Sequence, residues 1–271
     1  MQGSGRSPSE QEQRRADILE LLARQGYVRL PELARRLAVS PETAHRDLLL
    51  LARRGLLVRV RGGAVSGAAE RSGPGTRPLE HAEAIGELAG RVISPEQWLI
   101  AERAAGLVMP GASVAIASGV IGVALAGHLA DVPGLTVVTN SVGVFGVFSR
   151  LGRSGQEVVL SGGVRAGPDA LAGRVAEAAL SLLHVGHVFI APDGISLSDG
   201  FGTAETSLVG VHRILMEGMG VKVVMADSTR WEAAPTVPFA SLAAADVLIS
   251  GGGLSPPARD RLRAEIGQLV E

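Results

Sequence analysis

The segment Arg29-Leu-Pro-Glu-Leu-Ala-Arg-Arg-Leu-Ala-Val-Ser-Pro-Glu-Thr-Ala-His-Arg-Asp-Leu48 reads as two short helices meeting at a tight bend. Pro31 has the fixed φ that suits a first helical turn, and Leu30, Leu33 and Leu37 recur at three- and four-residue spacing along one face. Ala38 and Val39 make the turn. Ser40 follows as an N-cap, Pro41 as the first helical residue and Glu42 as a carboxylate on the positive end of the helix dipole. The second helix is expected to run to about Arg54 with Ala44, Leu48 and Leu51 facing inward. That leaves Thr43, His45 and Arg46 outward on its N-terminal half, where a helix lying in a major groove meets base edges and phosphates. Asp47 is expected to orient an arginine rather than touch DNA.

Downstream, Leu56-Leu-Val-Arg-Val-Arg-Gly-Gly-Ala64 alternates apolar and basic residues and turns at a glycine pair. This is the pattern of a two-stranded wing that sets Arg59 and Arg61 beside backbone phosphates. Upstream, the stretch from Arg14 to Arg24 carries Ile18, Leu21 and Leu22 on one face and supplies the supporting helix of a winged helix-turn-helix. Arg29, Arg35, Ser40, Thr43, His45, Arg46, Arg59, Arg61, Gly62 and Gly63 are the candidate DNA-contacting residues. A plain helical hairpin with a solvated arginine face would share the two helices, but not the cap, turn and basic wing in this order.

Residues 14 to 64 resemble the DNA-binding domain of the DeoR family of bacterial transcriptional regulators. Its recognition helix usually reads like Val39-Ser-Pro-Glu-Thr-Ala-His-Arg-Asp-Leu48, and its wing ends like Arg61-Gly-Gly-Ala64. His45 stands where the family more often has arginine. The resemblance implies a double-stranded DNA operator as partner, a repressor more than an activator, and a homo-oligomer (dimer or tetramer) that presents paired modules to two half-sites.

Charge divides the chain in the same way. Residues 1 to 65 hold 12 basic and 7 acidic side chains, net +5, and the remainder holds 14 and 20, net −6. Counterion release depends on the local patch, so a weakly acidic whole chain does not argue against DNA binding. The expected organisation is a disordered tail over 1 to 11, a winged helix-turn-helix over 12 to 65, a linker with a helix over 66 to 95, and an α/β effector-binding and oligomerisation domain over 96 to 271. Gly67 to Pro78 is rich in Gly, Ser and Pro, as a flexible linker is, while Leu79 to Val92 has the spacing of an amphipathic helix. The chain has no cysteine, which removes disulfide, thiolate and zinc-cysteine chemistry. Its first seventeen residues are polar and charged, unlike a secretory signal, and a cytoplasmic protein is expected.

From Ala104 to Ala130 there is no Asp, Glu, Lys or Arg, and after Asp131 the uncharged stretch resumes to Ser149. That is long enough on paper for a membrane span. Pro110-Gly111, Asn140 and recurrent glycines break it into short pieces, so strands buried on both faces of a parallel sheet are expected, and no membrane partner. Val114 to Ala117, Leu135 to Val138, Val158 to Leu160, Val188 to Ala191, Val223 to Ala226 and Val247 to Ile249 are short β-rich runs separated by helical stretches. The alternation means a mainly parallel α/β sheet.

Small polar residues follow each run: Ser118-Gly119, Thr139-Asn140-Ser141, Ser161-Gly162-Gly163, Asp193-Gly194, Asp227-Ser228-Thr229-Arg230 and Ser250-Gly251-Gly252. In open α/β sheets this carboxyl edge is where ligands bind. Backbone amides at Gly119 and Gly162 are expected to cradle an anion at helix N-termini, with Arg230 as a clamp. Ser118, Gly119, Thr139, Asn140, Ser141, Gly162, Gly163, Asp193, Gly194, Asp227, Ser228 and Arg230 are the candidate effector-binding residues.

Residues 96 to 271 also resemble the DeoR-family effector domain, which implies a ribose-5-phosphate isomerase-like fold and a sugar, sugar phosphate or related metabolite as effector. The family's phosphate loop is usually Ser-Gly-Thr-Thr, and here it reads Ser118-Gly-Val-Ile121, with two hydroxyl donors replaced by apolar side chains. Adjacent glutamates usual after Gly200 are replaced by Ser207 and Leu208, and Arg230 stands where lysine is usual. The expected effector is therefore less phosphorylated or more apolar than is usual for the family, unless the pocket has lost sensing.

The rival from another class is an aldose-ketose isomerase acting on a sugar phosphate, with Asp193, Asp199 and Glu205 as candidate carboxylates. Such an enzyme is expected to hold a lysine in its pocket, and the chain's single lysine, Lys222, enters a strand rather than following one. A non-enzyme is expected. His81, His128, His184, His187 and His212 have no paired metal-ligand spacing with carboxylates or cysteine, although His184 and His187 sit three apart, and they read as core or solvated residues, so no metal and no cofactor are expected. Trp98 and Trp231 read as packing residues.

Overall fold

Helical structure begins at Pro8, inside the tail expected over residues 1 to 11, because a proline in the first turn gives up no hydrogen bond. The computed structural model describes residues 8–25, 27–54, 56–60, 63–66, 81–231, 237–252 and 254–271. They fall into two compact units, Met1–Arg71 and Ser72–Glu271. The linker expected over Gly67 to Pro78 lies outside the described residues.

The first unit runs α1 (Pro8–Gln25), β1 (Tyr27–Arg29), α2 (Leu30–Arg36), α3 (Pro41–Arg53), β2 (Leu57–Val60) and β3 (Gly63–Ser66). Ile18, Leu22, Val28, Leu33, Ala44, Leu48, Leu51 and Leu57 close one core, so the three- and four-residue spacings read from α1 to α3 face a common centre. Leu30 and Leu37, expected inside, are only partly buried. The two strands expected for the wing pair as β2 and β3, and a third strand joins their sheet. β1 adds antiparallel to β3, which pairs β2 on its other side. That third strand escapes a pattern search because it is three residues long and ends directly at a helix. Ala38 makes the bend between α2 and α3 with φ of 49°, a left-handed turn residue.

The second unit opens with α4 (His81–Ala89) and α5 (Pro95–Ala105), followed by β4 (Ser113–Ile116), α6 (Val120–Leu129), β5 (Thr136–Thr139), α7 (Val142–Leu151) and β6 (Glu157–Leu160). A hairpin of β7 (Val164–Ala166) and β8 (Ala170–Ala172) leads to α8 (Arg174–Ser181) and β9 (His187–Ile190). Then come β10 (Gly194–Ser196), β11 (Gly200–Thr203), α9 (Val209–Glu217), β12 (Val221–Ala226), β13 (Val237–Ala240), β14 (Val247–Ser250), α10 (Pro256–Glu265) and β15 (Gln268–Val270).

Seven strands form one parallel sheet in the order β15-β14-β12-β9-β4-β5-β6. All six apolar runs expected as strands lie in it, and β9, β12 and β14 are buried along their whole length. Helix α6 is apolar all round because it is buried all round, from Ile121 to Leu129, against α4, α5 and α7. Among the described residues no helix is long and apolar enough to cross a membrane.

The chain builds the sheet outward from β4 through β5 to β6, then returns to place β9 on the other side of β4. Between β4 and β9 the order of the strands therefore reverses, and the loops leaving their carboxyl ends diverge. Such a switch point opens a crevice without any special side chain.

Candidate functional site

On the first unit, Ser40 caps α3 by accepting from the Thr43 amide at 3.2 Å, and the two hydroxyls lie 3.1 Å apart. Ala44, Leu48 and Leu51 turn inward at 0 to 2% exposure, which leaves Glu42 and Arg46 exposed and Thr43 and His45 half-buried on the opposite face. Hydrogen bonds from its own backbone amide and from Ser40 hold the Glu42 carboxyl below its ordinary range. Asp47, 3% exposed, accepts from Arg14 Nε at 2.6 Å and from Arg15 Nε at 2.9 Å. The expected arginine partner is thus a pair, both on α1, and the bond fixes α3 to its supporting helix.

Arg35 is exposed at the end of α2, and Arg29 and Arg59 lie in β1 and β2. Gly63 opens β3, whereas Arg61 and Gly62 lie outside the described residues.

On the second unit, a cavity of about 280 Å³ opens at the switch point. Ser118 and Gly119 line it from the end of β4, Asp193 from the end of β9, and Asp227 and Arg230 from the end of β12. The β7–β8 hairpin covers it with Gly167, Pro168 and Asp169, while Arg91, Gln97, Glu205, Leu208 and His212 complete the wall.

Asp169 was not legible in the sequence as a site residue, yet it organises the loop expected to cradle an anion. Its carboxylate is 5% exposed and accepts from the amides of Gly119 at 3.2 Å and Gly143 at 2.7 Å, and from the Ser141 hydroxyl at 2.9 Å. Gly119 caps α6 and Gly143 lies in the first turn of α7, so a single carboxylate serves the positive ends of two helices. Arg91 Nη2 stands 4.0 Å away. The neighbouring Ser118 amide donates to Asn140 Oδ1 at 2.9 Å. The expectation of a free anion cradle at Gly119 is therefore corrected: side chains of the protein already use these donors.

Arg230 is also held from within. Its Nε lies 3.7 Å from Asp227 Oδ1, and its Nη1 lies 3.9 Å from Asp193 Oδ1. Asp227 accepts from Gln97 at 2.8 Å and from the Thr229 amide and hydroxyl. Burial pushes this carboxyl up, but the bonds from Thr229 and Gln97 and the Arg230 charge outweigh it and leave it below its ordinary value. Asp193 accepts from Thr203 Oγ1 at 2.8 Å and from the Ala204 amide at 2.9 Å, and Glu205 accepts from the Ser207 hydroxyl at 2.7 Å.

The other candidates stand behind the wall. Thr139 Oγ1 donates to the Ile116 carbonyl at 2.6 Å, Asn140 Nδ2 to Leu171 at 3.0 Å, and Ser141 caps α7. They brace β4, β5 and the hairpin against one another. Gly162 and Gly163 turn the chain from β6 into β7, not into a helix, so the Gly162 amide gains no dipole. A Cβ on Gly163 would stand 2.5 Å from the Ala172 carbonyl oxygen, which accounts for a glycine there without a ligand. Gly194 begins β10, and Ser228 is engaged by Glu96, its hydroxyl donating at 2.9 Å.

His212, read from the sequence as a core or solvated residue, lines the cavity from α9 at 3% exposure. Neither of its ring nitrogens has a hydrogen-bond partner among the described residues. Burial pulls its pKa down to about 4 against an opposing pull from Asp193, so the ring is neutral at pH 7. Lys222 is far from such a role. Its ammonium donates to the Gly218 and Gly220 carbonyls at the entry of β12, the end opposite the cavity.

The family model described as the DeoR-like helix-turn-helix domain matches residues 14–69, and the one described as the DeoR C terminal sensor domain matches residues 93–252. The HTH-type transcriptional regulator YgbI of Escherichia coli K12, itself uncharacterized, is 29% identical over 95% of this chain and 97% of its own. The L-fucose operon activator of Haemophilus influenzae is 27% identical over 88% and 90%. The lactose phosphotransferase system repressor of Streptococcus mutans is 27% identical over 75% and 79%. Ribose 5-phosphate isomerase A of Neisseria gonorrhoeae overlays half of the chain and 52% of its own at a TM-score of 0.37 and 13% identity, too slight a likeness to assign a fold. The sensor match spans more than half of the chain and the helix-turn-helix match precedes it: the chain belongs to the DeoR family of DNA-binding transcriptional regulators.

Proposed function

We propose that this protein is a repressor of a carbohydrate-metabolism operon whose affinity for its operator is set by a small metabolite bound in the cavity between β4 and β9. The single observation that carries the reading is the coexistence of two built surfaces. One is a capped helix with Thr43, His45 and Arg46 outward; the other is a cavity with a buried imidazole that has no hydrogen-bond partner among the described residues. A relative named for fucose and another for lactose support the carbohydrate assignment.

In this reading Thr43, His45 and Arg46 meet base edges and phosphates, Ser40, Arg29 and Arg35 meet phosphates, and Arg59, Arg61, Gly62 and Gly63 contact the DNA backbone. Ser118, Asp193, Asp227, Arg230, Gln97 and His212 face the metabolite. A homo-oligomer presents two such helices to half-sites about one helical turn, or a multiple of it, apart. The ligand acts by linkage: it changes operator affinity only by as much as it prefers one of two states of the oligomer.

The test is an operator titration of the full chain on the DNA upstream of its own gene, at two salt concentrations and against scrambled DNA. Tight, salt-sensitive and sequence-selective binding is expected, and a metabolite that acts in the cavity shifts it. Binding equal to that of scrambled DNA on all neighbouring promoter regions would overturn the reading.

A further inference from the structure

The Asp169 carboxylate sits where two helix N-termini converge, on the Gly119 and Gly143 amides, with the Ser141 hydroxyl and Arg91 beside it. Converging helix N-termini with a nearby guanidinium are the ordinary means by which a protein holds a phosphate. Here the seat is filled from within, by a carboxylate on the turn of the covering hairpin. The remaining wall is rich in acceptors. Among the described residues the cavity is lined by the carboxylates of Asp169, Asp193, Glu205 and Asp227 against the guanidinium groups of Arg91 and Arg230. Both guanidiniums already lie within 4.0 Å of a carboxylate.

We infer that Asp169 is a built-in anion that bars phosphate from this cavity, and that the cavity takes a polyhydroxylated ligand carrying no phosphate. The inference rests on the cavity being the effector site and names the class of ligand it accepts. Two negative charges more than positive ones oppose a phosphate dianion, and the donors that would hold it are already bonded. Hydroxyl groups suit the same wall, because an ionised carboxylate only accepts hydrogen bonds and Asp193, Glu205 and Asp227 line the cavity as acceptors. His212 supplies the complement. It is neutral, offers one donor and one acceptor, and uses neither on the described residues, which is the state of a buried side chain that a ligand hydroxyl completes.

Asp169 also explains why the two phosphate-loop hydroxyls can be absent. With no phosphate oxygens to meet, Val120 and Ile121 occupy the start of α6 without loss of a needed donor, and Ile121 is 4% exposed in the core. The aspartate and the apolar loop form one consistent alteration.

The experiment uses the full chain and inorganic phosphate as the first probe, followed calorimetrically for the wild type, Asp169→Ala and Asp169→Asn, each checked for cooperative unfolding. The wild type is expected to show no saturable phosphate binding up to about 10 mM, the range of the weakest specific complexes. Asp169→Ala empties the seat and is expected to bind phosphate at least about tenfold more tightly than the wild type. Asp169→Asn keeps an acceptor on Gly143 while removing the charge, and gains less. It decides the matter if the alanine variant does not fold.

In a second arm, pentoses, hexoses and hexitols are compared with their own phosphate esters on the wild type. Every pair with measurable binding should favour the unphosphorylated member, and His212→Phe should weaken that member's binding by about tenfold, as loss of a buried hydrogen bond does. Saturable phosphate binding by the wild type, a tighter ester than its parent sugar, or folded Asp169 variants with no gain in phosphate affinity would overturn the inference. None of these results touches operator binding. Failure of the regulator reading would appear in the operator titration, with the phosphate arm unchanged.

Discussion

A Cβ placed on Gly143 would stand 2.8 Å from Asp169 Oδ1, the same oxygen that accepts from the Gly143 amide at 2.7 Å. The glycine is thus set by the carboxylate, together with Val123 Cγ2 at 3.0 Å from the same point, rather than by backbone conformation. Alanine is the better helix former, so propensity alone favours Gly143→Ala by about 1 kcal/mol. The displaced carboxylate reverses that sign. Urea unfolding should show Gly143→Ala destabilised by about 1 to 3 kcal/mol, the range for a forced contact and a lost buried hydrogen bond. At Gly146, one turn along the same helix, a Cβ would meet nothing within 4 Å, and Gly146→Ala should stabilise by up to about 1 kcal/mol. Equal effects of the two would disprove the role given to Asp169.

Asp47 ties α3 to α1 through two arginines that are themselves 11% and 20% exposed. Replacing it with asparagine leaves both guanidiniums facing a neutral group in a partly buried site. Asp47→Asn should cost the first unit about 1 to 3 kcal/mol, less than a fully buried pair because the arginines keep some water. The check is proteolysis or hydrogen exchange read within residues 8–60, since a whole-chain melt would mix in the larger unit.

Thr43 and Arg46 occupy the outward face of α3 without sharing in its core. In the proposed mode of binding, Thr43→Ala or Arg46→Ala should weaken operator affinity by about 1 to 3 kcal/mol while leaving the unfolding curve within about 0.5 kcal/mol of the wild type. A base contact and a phosphate contact part in the salt dependence. Loss of a phosphate contact lowers the salt slope by about one and weakens all sequences alike, whereas loss of a base contact relaxes the preference at one position. Unchanged operator affinity in both variants would displace the DNA-reading helix from α3.

The elements that a sequence reveals here are those whose partners are implicit in spacing. Ala44, Leu48 and Leu51 announce a buried face, and Val188 to Ala191 announces a strand buried on both sides, because each pattern is complete within one element. β15 gives no such signal: Gln268, Leu269 and Val270 are only half-buried at the edge of the sheet. β10 and β11 are hidden by their glycines and serines, which read as turns. Asp169 is beyond pattern altogether. Its partners Gly119 and Gly143 are 50 and 26 residues away, and only the return of the chain over the switch point brings them together. The same holds for His212, which the sequence leaves as core or solvated and whose place in the cavity wall depends on the strands that end there. Glycine and serine after a strand mark the right edge of the sheet, but they do not separate the residues that line the cavity from those, such as Asn140, that brace it.

His187 and His212 give the second unit a defined weakness to acid. Both are 3% exposed, neither has a hydrogen-bonded ring nitrogen among the described residues, and burial lowers each to about 4. In the unfolded chain they titrate near 6.5. Above that pH both states are neutral and the two residues contribute nothing to the pH dependence. As the pH falls from 6.5 toward 4 the unfolded chain takes up protons that the folded chain refuses, so stability drops, by at most about 3 kcal/mol per histidine, and the loss is complete once the folded state titrates as well. His187 lies at the start of β9, beside the ring of Phe189 and away from the cavity wall, so it can be exchanged without touching the ligand site. His187→Leu removes two polar atoms that have no partner among the described residues and keeps a similar volume. It should leave stability at pH 7 unchanged or raise it by about 1 kcal/mol, and it should flatten the acid limb between pH 6.5 and 4 by close to one proton. A variant whose acid limb keeps the wild-type slope would show that the His187 ring carries its proton in the folded protein, and that burial at the start of β9 does not hold it neutral.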